Sequence, residues 1–191
     1  MDSDIINTEV HLKISQGEEE TWQHLYDKYY DAITRYCTQY VRCQDEAEDI
    51  AQQTFIKLKQ NMDKFDSGRP LRPWLYRIAR NSCLDHKQKK RPGLLLDKFS
   101  DTCFFNSSRL DIRVGGPSPA TEIQRQDLHS CIMQELDSLS EEHRSVFLMK
   151  YVEGLSRTEI AEALDVPEAT VKSRLYYGMK KIKEVAKKFE E

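Results

Sequence analysis

Glycine and proline are scarce in this chain, 7 and 6 in 191 residues. Strand-rich folds need many tight turns, and tight turns draw on these two residues. Their scarcity argues for helices joined by few loops. Long apolar runs are also absent. No stretch reaches the roughly 18 consecutive apolar residues of a membrane-spanning helix, and residues 1–10 are acidic with no apolar centre, unlike a secretory leader. The chain is therefore expected in the cytoplasm, with no membrane insertion. The cysteines, Cys37, Cys43, Cys83, Cys103 and Cys131, are odd in number and contain no CxxC pair. That speaks against a disulfide framework and leaves buried, reduced thiols. The histidines are scattered, and His129 and Cys131 stand together without further metal ligands. Neither a Ser–His–Asp set nor a carboxylate pair can be assembled. The expectation is a non-catalytic protein with no metal and no cofactor.

What the chain has in quantity is charge, 32% of residues, with aromatics at 9%, too many for a disordered chain. The formal net charge of −3 hides a segregation. Residues 1–66 hold 14 acids and 7 bases, and residues 93–169 the same. Between them, residues 67–92 hold 8 bases against Asp85 alone, and residues 170–191 hold 7 bases and 3 acids. Two basic islands in an acidic chain suit two separate contacts with a polyanion, although two solvated helix faces would give the same counts.

Apolar residues recur every three or four positions in three successive segments, the signature of amphipathic helices. The first stripe is Trp22, Leu25, Tyr26, Tyr29, Tyr30, Ile33, Tyr36, Cys37, Tyr40 and Val41. The second is Ala47, Ile50, Ala51, Thr54, Phe55, Leu58 and Met62, opened by Asp45 and Glu48 at capping-box spacing. The third is Leu71, Trp74, Leu75, Ile78, Ala79, Ser82 and Cys83, with Pro73 in its first turn and Pro92 stopping it. Three such stripes can share a core, so residues 10–91 read as one small helical domain. "GGPSP" at 115–119 cannot continue a helix, and 92–120 read as a linker, one that carries the apolar clusters "LLL" (94–96) and "FF" (104–105). A second helical domain follows over 121–188, with Ile123, Leu128, Ile132, Leu136 and Leu139, then a helix capped by Ser140 and ended by Gly154. The fold class is all-α: two small helical domains joined by a linker.

The last segment carries the more specific pattern. Ser156 and Glu159 form a second capping box; Ala161 is small and mid-helix; Asp165 falls where the chain must turn; Val171 follows as an apolar anchor. This is helix-turn-helix spacing, with Asp at a turn position that favours a left-handed backbone and Pro167 starting the second helix. That helix turns Val171, Leu175, Met179 and Ile182 inward. Glu168, Thr170, Lys172, Ser173, Arg174 and Tyr177 are left able to reach phosphates and base edges.

Three stretches together, "DEAEDIAQQTFIKL" (45–58), "LRPWLYRIARNSCLDHKQKKR" (71–91) and residues 136–184, resemble the sigma factors of bacterial RNA polymerase, of the extracytoplasmic-function group. The resemblance implies roles residue by residue. Asp45, Glu46, Glu48, Asp49, Gln52, Gln53 and Phe55 match the segment that docks core polymerase at its β′ clamp helices, where carboxylates suit a basic partner. The loop 61–70 and the basic helix match the part that reads and melts the −10 promoter element. Arg72, Arg77, Arg80, Lys87 and Lys89 supply cations. Trp74 lies on the apolar stripe, which favours the core over a base-stacking place without deciding between them, whereas Tyr76 lies off it and is the better exposed candidate for an unstacked base. The helix-turn-helix matches the reader of the −35 element, and the helix before it the contact with the β flap. The chain departs from the family's pattern at Gln53, where an acid is usual, and at Lys59, where an aromatic often stands. Promoter DNA and core RNA polymerase are thus the implied partners, with an anti-sigma factor as a third. The competing reading is a stand-alone helix-turn-helix regulator that binds duplex DNA, and the first basic island, superfluous in such a protein, tells against it.

Overall fold

In a computed structural model, which describes residues 19–66, 68–90 and 131–187, the first stripe winds into helix α1, Glu19–Val41. Leu25, Ile33, Tyr36, Cys37 and Tyr40 are buried in it, and so are Thr34, Thr38 and Gln39, so its second half is covered on more than one side. Thr38 copes with burial by donating its hydroxyl to the Thr34 carbonyl at 2.8 Å. Arg42 then takes a left-handed backbone, φ 59°, and reverses the chain.

Helix α2, Gln44–Gln60, starts two residues earlier than the capping-box spacing implies. Its N-cap is Cys43, in extended backbone and without a side-chain cap bond. The turn at Arg42 already sets the helix going, so Asp45 lies inside the first turn, and Glu48 accepts instead from Gln44 Nε2 at 2.7 Å. Asp45 and Glu46 there complement the helix dipole. Every residue of the second stripe is buried. Asn61 closes the far end, donating Nδ2 to the Lys57 carbonyl at 2.8 Å. A short turn, Met62–Lys64, leads by way of Phe65 and Pro70 to helix α3, Leu71–Lys90. The three helices pack pairwise on one core.

A second unit holds the later helices but for residues 162–165: residues 131–138 (α4), Glu141–Tyr151 (α5), Arg157–Leu164 (α6) and Glu168–Lys187 (α7). Ser140 stands at the N-cap of α5 in extended backbone, but its hydroxyl bonds His143 Nδ1 at 2.7 Å rather than a backbone N–H. Gly154, at φ +68°, turns the chain after α5. Helix α7 comes close to α5 at Gly178, where an added Cβ would meet the Phe147 ring at 3.4 Å. Glycine thus takes a buried place beside half-buried Met179. Arg144, assigned to no role by its spacing, is buried and pairs with Asp137 at 2.7 Å.

All regular structure among the described residues is helical, as expected. Cys37 and Cys83 are buried and Cys43 and Cys131 half-buried, and none of the four is in a disulfide. The linker 92–120, with its "LLL" and "FF" clusters, and Ile123 and Leu128 lie outside the described residues.

Two outcomes test this packing. An L side chain at a left-handed position costs about 1 kcal/mol, and open space surrounds the Gly154 Cβ position. Gly154→Ala should therefore lose about that much in urea unfolding, with Gly154→Asn losing less. Burial, with the Tyr40 hydroxyl beside it at 3.3 Å, holds the Tyr36 phenol well above its ordinary 10.0. The folded chain keeps this group neutral where the unfolded chain ionises it. Its contribution is whole below pH 10.0 and is lost as pH rises beyond. Tyr36→Phe should flatten that alkaline fall, read by urea unfolding on either side of this pH.

Candidate functional site

Helix α2 buries Ala47, Ile50, Ala51, Thr54, Phe55 and Leu58, so its opposite side must face outward. There Asp45, Asp49, Gln52, Gln53, Ile56 and Gln60 form one exposed strip. Glu46 and Glu48 are half-buried at its margin; Glu46 Oε2 lies 3.1 Å from His86 Nε2 of α3, and Glu48 is held by Gln44. Phe55 does not belong to the strip. It is 2% exposed, with Tyr26 at 4.8 Å, Tyr30 at 6.2 Å and the Trp22 edge at 6.4 Å. This corrects its placement as a docking residue: its ring is spent on the aromatic core between α1 and α2. The apolar group the strip does present is Ile56, 55% exposed. Its signal was in the sequence, since a large aliphatic residue stands between Phe55 and Leu58 but off their stripe.

On α3, Arg77 and Lys89 are exposed, while Arg72, Arg80 and Lys87 are half-buried. The Arg72 guanidinium stands over the Tyr76 ring at 5.9 Å, the Lys87 ammonium over Tyr40 at 5.4 Å, and Arg80 reaches Asn81 at 3.3 Å. Tyr76, expected at the surface, is 1% exposed and meets Tyr36 edge-on at 5.4 Å. Both α1 and α2 pack on α3, so its covered arc is wider than a stripe spaced for one neighbour, and Tyr76 falls inside it. Tyr76 is thus a core residue, not a base-stacking plate. Trp74 is half-buried and stacks on buried Phe65 at 4.8 Å, with 27° between the planes. It pins the start of α3 to the preceding loop, where Asp66 accepts from the Gly68 N–H at 3.0 Å and pairs with Arg69 at 3.4 Å.

The helix-turn-helix forms as its spacing implies. Ser156 Oγ accepts from the Glu159 N–H at 3.1 Å, and Glu159 Oε2 from the Ser156 N–H at 2.8 Å, a reciprocal capping box. Asp165 is left-handed, φ 54°. The Val166 N–H bonds the Ala161 carbonyl at 3.0 Å and the Asp165 N–H the Glu162 carbonyl at 3.4 Å, the paired bonds that close a helix on a left-handed residue. Val171, Leu175 and Ile182 are buried beneath α7. Outward stand Lys172, Ser173, Tyr176, Lys180 and Lys183. Glu168, exposed at the start of α7, accepts from Thr158 Oγ1 of α6 at 2.9 Å and so ties the two helices of the motif together. Thr170 and Arg174 are half-buried, and the Tyr177 ring, still exposed, lies 4.7 Å from His143. Tyr176, which inspection of the helix pattern passed over, is 74% exposed in the middle of this face. Its place four residues from both Lys172 and Lys180 was the available signal.

Among the described residues no group of three or more His, Cys, Asp and Glu is placed to hold a metal ion, and no helix is long and apolar enough to cross a membrane.

With this geometry in hand, known proteins divide along the same lines. The family described as Sigma-70 region 2 matches residues 25–92, and that described as Sigma-70, region 4 matches residues 129–182. The ECF RNA polymerase sigma factor SigW of Bacillus subtilis is 34% identical over 166 residues, 87% of this chain and 89% of that protein. SigL of Mycobacterium tuberculosis, likewise described as an ECF RNA polymerase sigma factor, is 31% identical over 83% of this chain and 85% of its own. Among solved structures, RpoE in complex with the anti-sigma factor NepR from Bartonella quintana has a TM-score of 0.62 at 22% identity, covering 86% of this chain and 96% of that one. CnrH in complex with the cytosolic domain of CnrY has a TM-score of 0.68 at 18% identity, covering 95% and 97%.

The corrected assignments separate by stability. Phe55→Ala and Tyr76→Ala should each cost about 3–5 kcal/mol in urea unfolding, as large core truncations do. Ile56→Ala and Arg77→Ala should stay within about 0.5 kcal/mol.

Proposed function

The chain belongs to the extracytoplasmic-function sigma factors of bacterial RNA polymerase, and from that premise we propose how its surfaces share the work of transcription initiation. Residues 10–91 form the domain that docks core polymerase and opens the −10 element, 92–120 link it onward, and 121–188 form the domain that reads the −35 element. On α2, Asp45, Asp49, Gln52 and Gln53 face the β′ clamp helices, with Ile56 as their apolar centre. Exposed carboxylates around one aliphatic group fit a basic surface with an apolar spot. On α3, Arg72, Arg77, Arg80, Lys87 and Lys89 meet phosphates of the opening strands. Half-burial of three of these stems holds the charges in place before DNA arrives, which lowers the entropy lost on binding.

On α7, Lys172, Ser173 and Tyr176 enter the major groove, with Lys180 and Lys183 along the flanking phosphates. Glu168 supports that helix through Thr158, and the helix before the motif faces the β flap. The chain itself makes and breaks no bonds; chemistry remains with the polymerase. It acts in the cytoplasm, where its polymerase works, and an anti-sigma factor is a further partner, as for the Bartonella RpoE. The observation that carries the reading is the order of three surfaces in one chain: a carboxylate-bearing strip on the outer side of α2, a basic helix packed on the buried side of α2, and a well-formed helix-turn-helix. A stand-alone regulator would need only the last.

Mixing the full chain with core RNA polymerase and a randomised promoter library should yield chain-dependent transcripts and permanganate-reactive, opened DNA. Absence of both core binding and strand opening would refute the reading. Lys172→Ala should weaken binding across all selected sequences and lower the salt slope by about 1. Tyr176→Ala should instead change which bases are preferred among the selected sequences.

A further inference from the structure

Polar side chains join α2 to α3 at two points. Glu46 and Lys57 lie 11 residues apart on α2, about three helical turns, yet both reach a single turn of α3. Lys57 Nζ donates to Ser82 Oγ at 3.0 Å and lies 3.6 Å from Asp85 Oδ2. Glu46 Oε2 stands 3.1 Å from His86 Nε2, with both side chains largely covered. Ser82 is buried, so its hydroxyl needs the partner that Lys57 supplies. Small apolar side chains are among those fully buried on the two helices, Ala47 and Ala51 on α2 and Ala79 and Cys83 on α3. Small apolar groups fix a register less sharply than polar pairs with defined partners. A cation of α2 meets an acid of α3, and an acid of α2 meets a histidine of α3. Displacement by one turn would strand both, and the cost falls mainly on the more covered pair, Glu46 and His86 at 24% and 30% exposure against 40% and 59% for Lys57 and Asp85.

We infer that Glu46 and Lys57 are positioning residues, a two-ended clasp on the Ser82–His86 turn that fixes the register of α3 on α2. The inference rests on the reading above, in which α2 docks core polymerase and α3 opens DNA. The clasp makes docking on one helix determine where the cations of the other stand. Glu46 accordingly works through His86 and not through contact with the polymerase, although it neighbours the docking strip.

The test uses the full chain as holoenzyme on a promoter selected from the library. It compares core affinity, by fluorescence anisotropy, with strand opening, by permanganate reactivity. His86→Ala and Lys57→Met should leave core affinity within about twofold while opening falls about fivefold, the scale of one ordinary hydrogen bond between partly exposed groups. Glu46→Gln should behave as His86→Ala does, and the double variant should lose no more than either alone. Three results would overturn the inference. Opening could be unchanged in both His86→Ala and Lys57→Met. Glu46→Gln could weaken core binding where His86→Ala does not, making Glu46 a polymerase contact. Docking and opening could fall together with thermal stability, leaving the clasp a plain stabilising contact. If the unaltered chain neither binds core nor opens DNA, the functional reading fails first and takes the clasp with it.

Discussion

Burial of one side of α2 against both α1 and α3 is the constraint on which the N-terminal unit depends. Ala47, Ile50, Ala51, Thr54, Phe55 and Leu58 are committed to that seam, and what remains of the helix is necessarily a strip facing outward. The same seam shapes α3. Because two neighbours cover α3, its arginines and lysines are confined to the remaining surface, and two of them, Arg72 and Lys87, set their charged heads over the Tyr76 and Tyr40 rings. The carboxylate-bearing strip of α2 and the basic surface of α3 thus arise as the two outer faces of one packed interface. This places both on rigid elements and not on loops, which suits the proposed docking and DNA-opening roles.

The C-terminal unit solves a different problem, how to turn sharply between two short helices and still present the second. Its solution is local and complete. The Ser156–Glu159 capping box starts α6, a left-handed Asp165 ends it, and Glu168 on Thr158 braces the start of α7. Gly178 then lets α7 approach α5 closely at the far side of the helix from its exposed lysines. Few long-range contacts are needed for such a module to be specified, which is why its spacing is so readable in the chain.

Legibility differed accordingly between the two units. The capping box at Ser156, the turn at Asp165 and the buried Val171, Leu175 and Ile182 follow from neighbours within a few residues, and all were readable from spacing. The apolar stripes of α1 and α2 were readable for the same reason. Misplacements arose where a residue's surroundings come from another helix. Tyr76 lies off the stripe of its own helix, yet Tyr36 of α1 encloses it. Phe55 sits within a motif associated with docking, yet Trp22, Tyr26 and Tyr30 claim its ring and leave Ile56 outside. Asp45 has the spacing of a cap, yet the backbone at Arg42 starts the helix before it.

By itself, then, the amino-acid sequence determined the helical class, the segregation of charge into two basic islands and the helix-turn-helix, because periodicity, capping and composition are properties of neighbouring residues. Tertiary structure alone decided which aromatic rings are core, which aliphatic residue the docking strip shows, and that Glu46 and Lys57 both hold one turn of α3. Those outcomes depend on how many helices cover a given face and at what register they meet, and no spacing within a single helix encodes either.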